Sequence, residues 1–164
     1  MALRQILKDG DPSLRKVSRP VTKFNDRLMM LLDDMQQTLA ESGGVGLAAP
    51  QVGVLRRVVL VDTGEQGIIE MINPVITHRE GEQEDLEGCL SIPGKYGIVR
   101  RPQKVRATYL DRDGNECEIE AEDFVARIVC HETDHLEGTL YIDVAERMLT
   151  DEEMQELEQK RGES

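Results

Sequence analysis

The chain has 164 residues, 39% of them apolar and 32% charged, which suits one globular domain with a core of its own. Three Tyr, two Phe and no Trp are too few for a surface that stacks nucleic-acid bases, and an excess of acids that leaves a net charge of −12 argues against wide contact with phosphates or anionic lipid. No apolar run approaches the roughly 18 residues that span a bilayer, so no membrane contact is expected.

The first residues, Met1-Ala-Leu-Arg-Gln-Ile-Leu-Lys, carry no small-residue cleavage site and do not read as a secretory signal. Three cysteines without close pairing give no disulfide framework, so a reducing cytoplasm is expected. Asp11-Pro12 reads as an N-cap and a first helical Pro, opening a short helix to about Val17. Asn25 caps a longer helix, with Phe24 placed to staple against Met29. Leu28, Leu32, Met35 and Leu39, at spacings of 4, 3 and 4, make one apolar face that stops at Gly43-Gly44.

From Arg56 to Tyr109 the pattern turns to strands. Arg57–Val61 is a buried run, Glu70–Asn73 begins another, and Lys104–Leu110 alternates. Asp113-Gly114 marks a hairpin into Glu116–Ala121, where Cys117, Ile119 and Ala121 share a face. Phe124–Leu136 reads as a buried helix, Asp143–Met148 as a short helical turn, and Thr150 as the cap of an acidic last helix, Asp151–Gln159. Central strands with helices at both ends predict an α+β fold of mixed or antiparallel strands around one buried helix. No repeat or linker divides the chain, so residues 1–164 are expected to form a single catalytic domain, with 151–164 as an acidic tail.

The strongest local signal is His131-Glu132-Thr133-Asp134-His135. Residues four apart stack on one helix face, so both imidazoles can reach one metal, and Glu132 beside them can handle protons. A third ligand is needed. Tyr141 stands where the long metalloprotease signature carries its third His, and His78 lies in a charged, loop-like stretch. Glu146 and Glu152 lack a convincing helix, which turns attention to a thiolate. Of the three cysteines Cys89 is best placed, in Glu87-Gly-Cys-Leu-Ser-Ile-Pro-Gly94; Cys117 belongs to a strand face, and Cys130 is about 100° around the helix from His131. Gly43–Gly53 is rich in small residues that let backbone approach a ligand, and Gln51 offers an amide to a developing oxyanion.

Together these segments resemble peptide deformylases. That family carries Gly-x-Gly-x-Ala-Ala-x-Gln, Glu-Gly-Cys-Leu-Ser and His-Glu-x-x-His in this order, standing here as Gly44–Gln51, Glu87–Ser91 and His131–His135, with the match running on to Gly138. The resemblance implies hydrolytic removal of the N-formyl group from the initiator methionine of newly made polypeptides. It implies one divalent metal on Cys89, His131 and His135, with water in the fourth position. Glu132 would take the water's proton and deliver it to the leaving amine. Gln51 and the backbone N–H of Leu90 would hold the oxyanion, and Gly46 the substrate backbone. Val45 and Ile128 would border the methionine pocket, and Arg101, with Arg100 as the alternative, would touch substrate backbone. The family implies Fe(II), with Zn, Ni or Co able to replace it; the ligand set alone suits Zn equally.

Arg127 falls on the ligand face where an apolar residue would be natural, and is expected to snorkel outward rather than line the entrance. Cys130 stands where the family often carries Gln, and a packing change is expected. Some deformylases dock a basic C-terminal helix on the ribosome; the acidic tail here gives ribosome contact no support, and no direct nucleic-acid binding is expected. The rival readings are a zinc endopeptidase, which needs a third ligand after His135, and a non-catalytic metal-binding paralogue, which would tolerate loss of Glu132 or Gln51.

Overall fold

The computed structural model describes residues 2–163. Among these residues, eight strands fall into two sheets. Strands β1 (Gly46–Ala48), β2 (Val58–Asp62), β3 (Ile68–Glu80), β6 (Lys104–Leu110) and β7 (Glu116–Glu122) form an antiparallel sheet in the order β1-β2-β3-β6-β7. Strands β4 (Gln83–Cys89), β5 (Ile92–Arg101) and the two-residue β8 (Arg147–Met148) form a second.

The first sheet is covered on both faces, which explains why every residue of Val58–Val61 is buried. Side chains alternate across a strand, so Val58 and Leu60 meet one helix while Val59 and Val61 meet another. The first helix is α1 (Asp26–Ser42), whose stripe of Leu28, Leu32, Met35 and Leu39 is buried as the spacing predicts. Asn25 accepts from the Leu28 N–H at 3.1 Å, and Gly43 ends the helix at φ 72°. Phe24 remains 37% exposed at the helix entrance.

The second helix, α2 (Asp123–His135), packs Ala126, Val129 and Cys130 against Val59, Val61, Met71 and Ala107. Its C-terminal turn closes at Gly138, where φ is +75° and a Cβ would sit 2.5 Å from the Arg15 carbonyl oxygen, so glycine is required. A smaller core of Leu14, Ile92, Val99, Leu140 and Tyr141 joins the second sheet to α3 (Tyr141–Val144).

Several expectations change. The Asp11 cap holds only a 3-10 turn, Pro12–Arg15, shorter than expected. His78 lies on β3 rather than in a loop, and the segment Asp143–Met148 divides between the end of α3 and β8. Thr150 and Glu153 cap each other's backbone N–H at 3.1 Å and open α4 (Asp151–Glu163). Among the described residues no helix is long and apolar enough to cross a membrane.

Candidate active site

A cleft of about 700 Å³ opens between β1, the β4–β5 turn and α2. Its wall takes Val45 and Gly46 at the start of β1, Gln51 from the 3-10 turn Ala49–Val52, Cys89 and Leu90 from the end of β4 and the turn after it, and Ile128, His131 and Glu132 from α2. At its base the Sγ of Cys89 and one nitrogen each of His131 and His135 all lie within 4.8 Å of one another. Sγ is 3.5 Å from His135 Nε2. Four-residue spacing on α2 sets the imidazoles side by side, ring centroids 5.2 Å apart, and Tyr141 stacks on His131 at 6.0 Å. Of the other third-ligand candidates, His78 is exposed beside Glu80, Glu146 pairs with Arg100, and Glu152 is on α4.

Glu87 organises the site from behind, a part the sequence reading did not assign. Arg101 donates to it twice at 2.9 Å, Arg127 Nη1 bonds it as well, and His131 Nδ1–H donates to its Oε1 at 2.9 Å. That last bond leaves His131 Nε2 as the nitrogen free to face a metal, and Glu87 stands where a carboxylate orients a metal-binding histidine. Burial would push Glu87 up, but the bonds from Arg101 and His131 outweigh it and hold the carboxyl at about 2. A buried carboxylate on a strand that ends in a Cys, with two arginines unaccounted for, was the available signal.

Burial pushes Glu132 up to about 7, so its carboxyl can both accept and release a proton near neutrality. Its Oε1 is buried without a partner among the described residues. Burial also works against charge on His131, yet the Cys89 thiol and Glu87 prevail and raise it to about 10; the surroundings favour a cation there. His135 is pushed down to about 3, first by burial and then by His131, and stays a neutral donor. A thiol, a neutral imidazole and a pocket that favours positive charge suit a divalent metal.

Gln51 is held on three sides. Its Oε1 accepts from the Ala48 N–H at 2.9 Å, while Nε2 points to Ser91 Oγ at 3.1 Å and Cys89 Sγ at 3.5 Å. The N-terminal segment straps the same region: Leu7 N–H donates to the Gln51 carbonyl at 2.7 Å and Asp9 N–H to that of Ser91 at 2.8 Å. Gly46 lies against Glu132, and a Cβ there would approach its Cγ at 2.8 Å.

Two arginine expectations are corrected. Arg101 does not line the cleft: it is 7% exposed, clasped by Glu87 and by Asp134 at 2.7 Å, and Arg100 is on the surface among Glu82, Glu84 and Glu146. Arg127 does not snorkel. It turns inward to Glu87 and the Val99 carbonyl, because a buried carboxylate holds a guanidinium more strongly than water across an apolar wall. Leu47 and Val129, next in sequence to Gly46 and Ile128, are core residues. Cys130 is buried in the core and pushed up to about 11 by that burial, in keeping with a packing role.

A His-Glu-x-x-His helix facing a thiol across an open cleft, with a buried carboxylate that titrates near neutrality, defines the class of single-metal hydrolases. The polypeptide deformylase family profile matches residues 3–151, and the chain belongs to that family of metal-dependent hydrolases. The peptide deformylase of Thermoanaerobacter pseudethanolicus is 54% identical over 159 residues, covering 97% of this chain and 99% of its own. That of Caldanaerobacter subterraneus is 56% identical over 155 residues, covering 94% and 97%. The crystal structure of the Thermotoga maritima peptide deformylase superposes with a TM-score of 0.85 at 39% identity, over 87% of this chain and 97% of that one.

Proposed function

We propose that Cys89, His131 and His135 hold one divalent metal, Fe(II), for the removal of the N-formyl group from newly made polypeptides. The reading is carried by one observation: three ligand atoms within 4.8 Å of one another, at the base of the cleft that Glu132 and Gln51 share. Bound there, the metal supplies Lewis-acid chemistry that lowers the pKa of water to about 7. Residues 1–164 work as one catalytic domain in the cytoplasm, where three free cysteines stay reduced.

The substrate backbone lies along Gly46, where the missing side chain leaves room. The methionine side chain lies toward Val45 and Ile128. Glu132 takes a proton from the attacking water and passes it to the leaving amine. Gln51 Nε2 and the Leu90 N–H donate to the oxygen of the formyl carbonyl as it gains charge. Arg101 and Arg127 hold Glu87, and Glu87 holds His131; Arg101 positions without touching substrate, while Arg127 also lines the cleft. The acidic α4 gives contact with the ribosome no support.

Formate release from formyl-Met-Ala-Ser, measured anaerobically because thiolate and Fe(II) both oxidise, tests the assignment. Glu132→Gln should lose roughly 10²–10⁴-fold in kcat while keeping its metal. Cys89→Ala should lose the metal itself. No formate from folded, Fe(II)- or Ni(II)-loaded wild type, or full metal content in Cys89→Ala, sinks this reading.

A further inference from the structure

Phe124, Arg127, Ile128 and His131 fall at spacings of 3, 1 and 3 on α2, and all four line the catalytic cleft. One helix face therefore presents two apolar residues, a proposed metal ligand and, among them, a guanidinium that is only 6% exposed. Its Nη1 is used twice, by Glu87 and by the Val99 carbonyl at 3.1 Å. Its Nη2 is buried and has no hydrogen-bond partner among the described residues. Glu87 does not account for that second nitrogen, because Arg101 already donates to both of its oxygens.

A buried donor without an acceptor is costly and uncommon, so each one calls for a cause. Of the buried side-chain atoms left unpartnered among the described residues, two belong to residues that line the cleft: Glu132 Oε1 and Arg127 Nη2. Function explains the first, since Glu132 serves the attacking water. Bulk water does not reach the second, and the group that enters the cleft beside Ile128 is the first side chain of the substrate. The depth agrees. From Arg127 to His131 the helix rises about 6 Å, and the five bonds from a formyl carbon to the δ atom of an unbranched side chain reach about as far. Methionine carries its only acceptor at that δ position, a thioether sulfur that accepts weakly. Oxidation to the sulfoxide puts a strong acceptor oxygen on the same atom. A wholly apolar pocket would reject that oxygen, whereas an unpaired guanidinium N–H would hold it.

Resting on the deformylase reading above, we propose that Arg127 sets the specificity of the first-side-chain pocket: its free Nη2 donates to an acceptor at the δ position, so the cleft takes chains that begin with oxidised methionine as well as those that begin with methionine. The test gives the full, Ni(II)-loaded chain formyl-Met-Ala-Ser, the same peptide with methionine sulfoxide as separate epimers, and the same peptide with norleucine, and compares kcat/KM for formate release. Norleucine keeps the shape of methionine without an acceptor and is the reference. The wild type should process the better sulfoxide epimer at least as well as the norleucine peptide. Arg127→Met removes the donor and should lower the sulfoxide-to-norleucine ratio by roughly 10–10²-fold. Arg127→Lys keeps a cation beside Glu87 but has one nitrogen where arginine has two at its tip. It should lower the ratio by roughly tenfold or more, and recover part of the norleucine activity that Arg127→Met loses through Glu87. A residue that only holds Glu87 would slow every peptide equally, so an unchanged ratio in both variants overturns the proposal. So does a wild type that rejects both sulfoxide epimers on the order of 10²-fold against norleucine, a result that depends on no variant folding. Formate from the methionine and norleucine peptides with the sulfoxides rejected overturns this proposal alone. Formate from none of the peptides overturns the deformylase reading and this proposal with it.

Discussion

At Gly46 the backbone of β1 comes so close to Glu132 that no side chain fits between them. Gly46→Ala should therefore displace the carboxylate. A shift of about 1 Å in a reacting group costs on the order of 10²-fold, so kcat for formate release should fall by about that factor while the unfolding midpoint changes little. Gln51 is a different case, because its amide is already aimed by Ala48 and Ser91 and needs no rearrangement to meet a developing oxyanion. Gln51→Ala should lower kcat by roughly 10²–10³ with KM nearly unchanged, the signature of a bond made only in the transition state. A KM effect of that size with kcat intact would instead make Gln51 a ground-state binder.

Strand β4 carries Glu87, β5 carries Arg101, and α2 carries Arg127 and His131, so one carboxylate ties the second sheet to the helix. Glu87→Ala leaves two buried guanidinium groups without their partner, and loss of about 3–5 kcal/mol is expected from the urea midpoint. Glu87→Gln should recover part of that, since its amide oxygen still accepts from one arginine. This cluster also marks where sequence reading ran out. The stripe of α1 and the stacked histidines of α2 were legible because a period of 3.6 residues exposes them directly. Strand β4, Gln-Glu-Asp-Leu-Glu-Gly-Cys, has no such pattern, and pairing with β5 alone makes it a strand. Arginines face water by default, and only a carboxylate 14 or 40 positions away turns Arg101 and Arg127 inward. Cys89 and Gln51 were legible through their glycine-rich settings, but what orients them comes from Ser91, Ala48 and the N-terminal strap, contacts made only on folding.

Across the whole molecule, the proposed ligands come from both halves: Cys89 from the end of a strand in the second sheet, His131 and His135 from the helix that packs on the first. A metal held by all three thus fastens one half to the other, and it does so only in the folded chain, so its binding free energy adds to stability. At a free metal concentration near 100 times Kd that contribution is about 2.7 kcal/mol. For a chain of this size each kcal/mol moves Tm by roughly 2–4 °C, so chelation should lower Tm by about 5–10 °C in differential scanning fluorimetry. Cys89→Ser should melt at the same temperature with and without chelator, because the bridge between the halves is already cut. Glu132→Gln should respond to chelator as the wild type does, since it moves protons and is not a ligand. A chelator shift that survives in Cys89→Ser would place the thiol outside the ligand set. Loss of the shift in Glu132→Gln would make the carboxylate a ligand instead of a proton carrier.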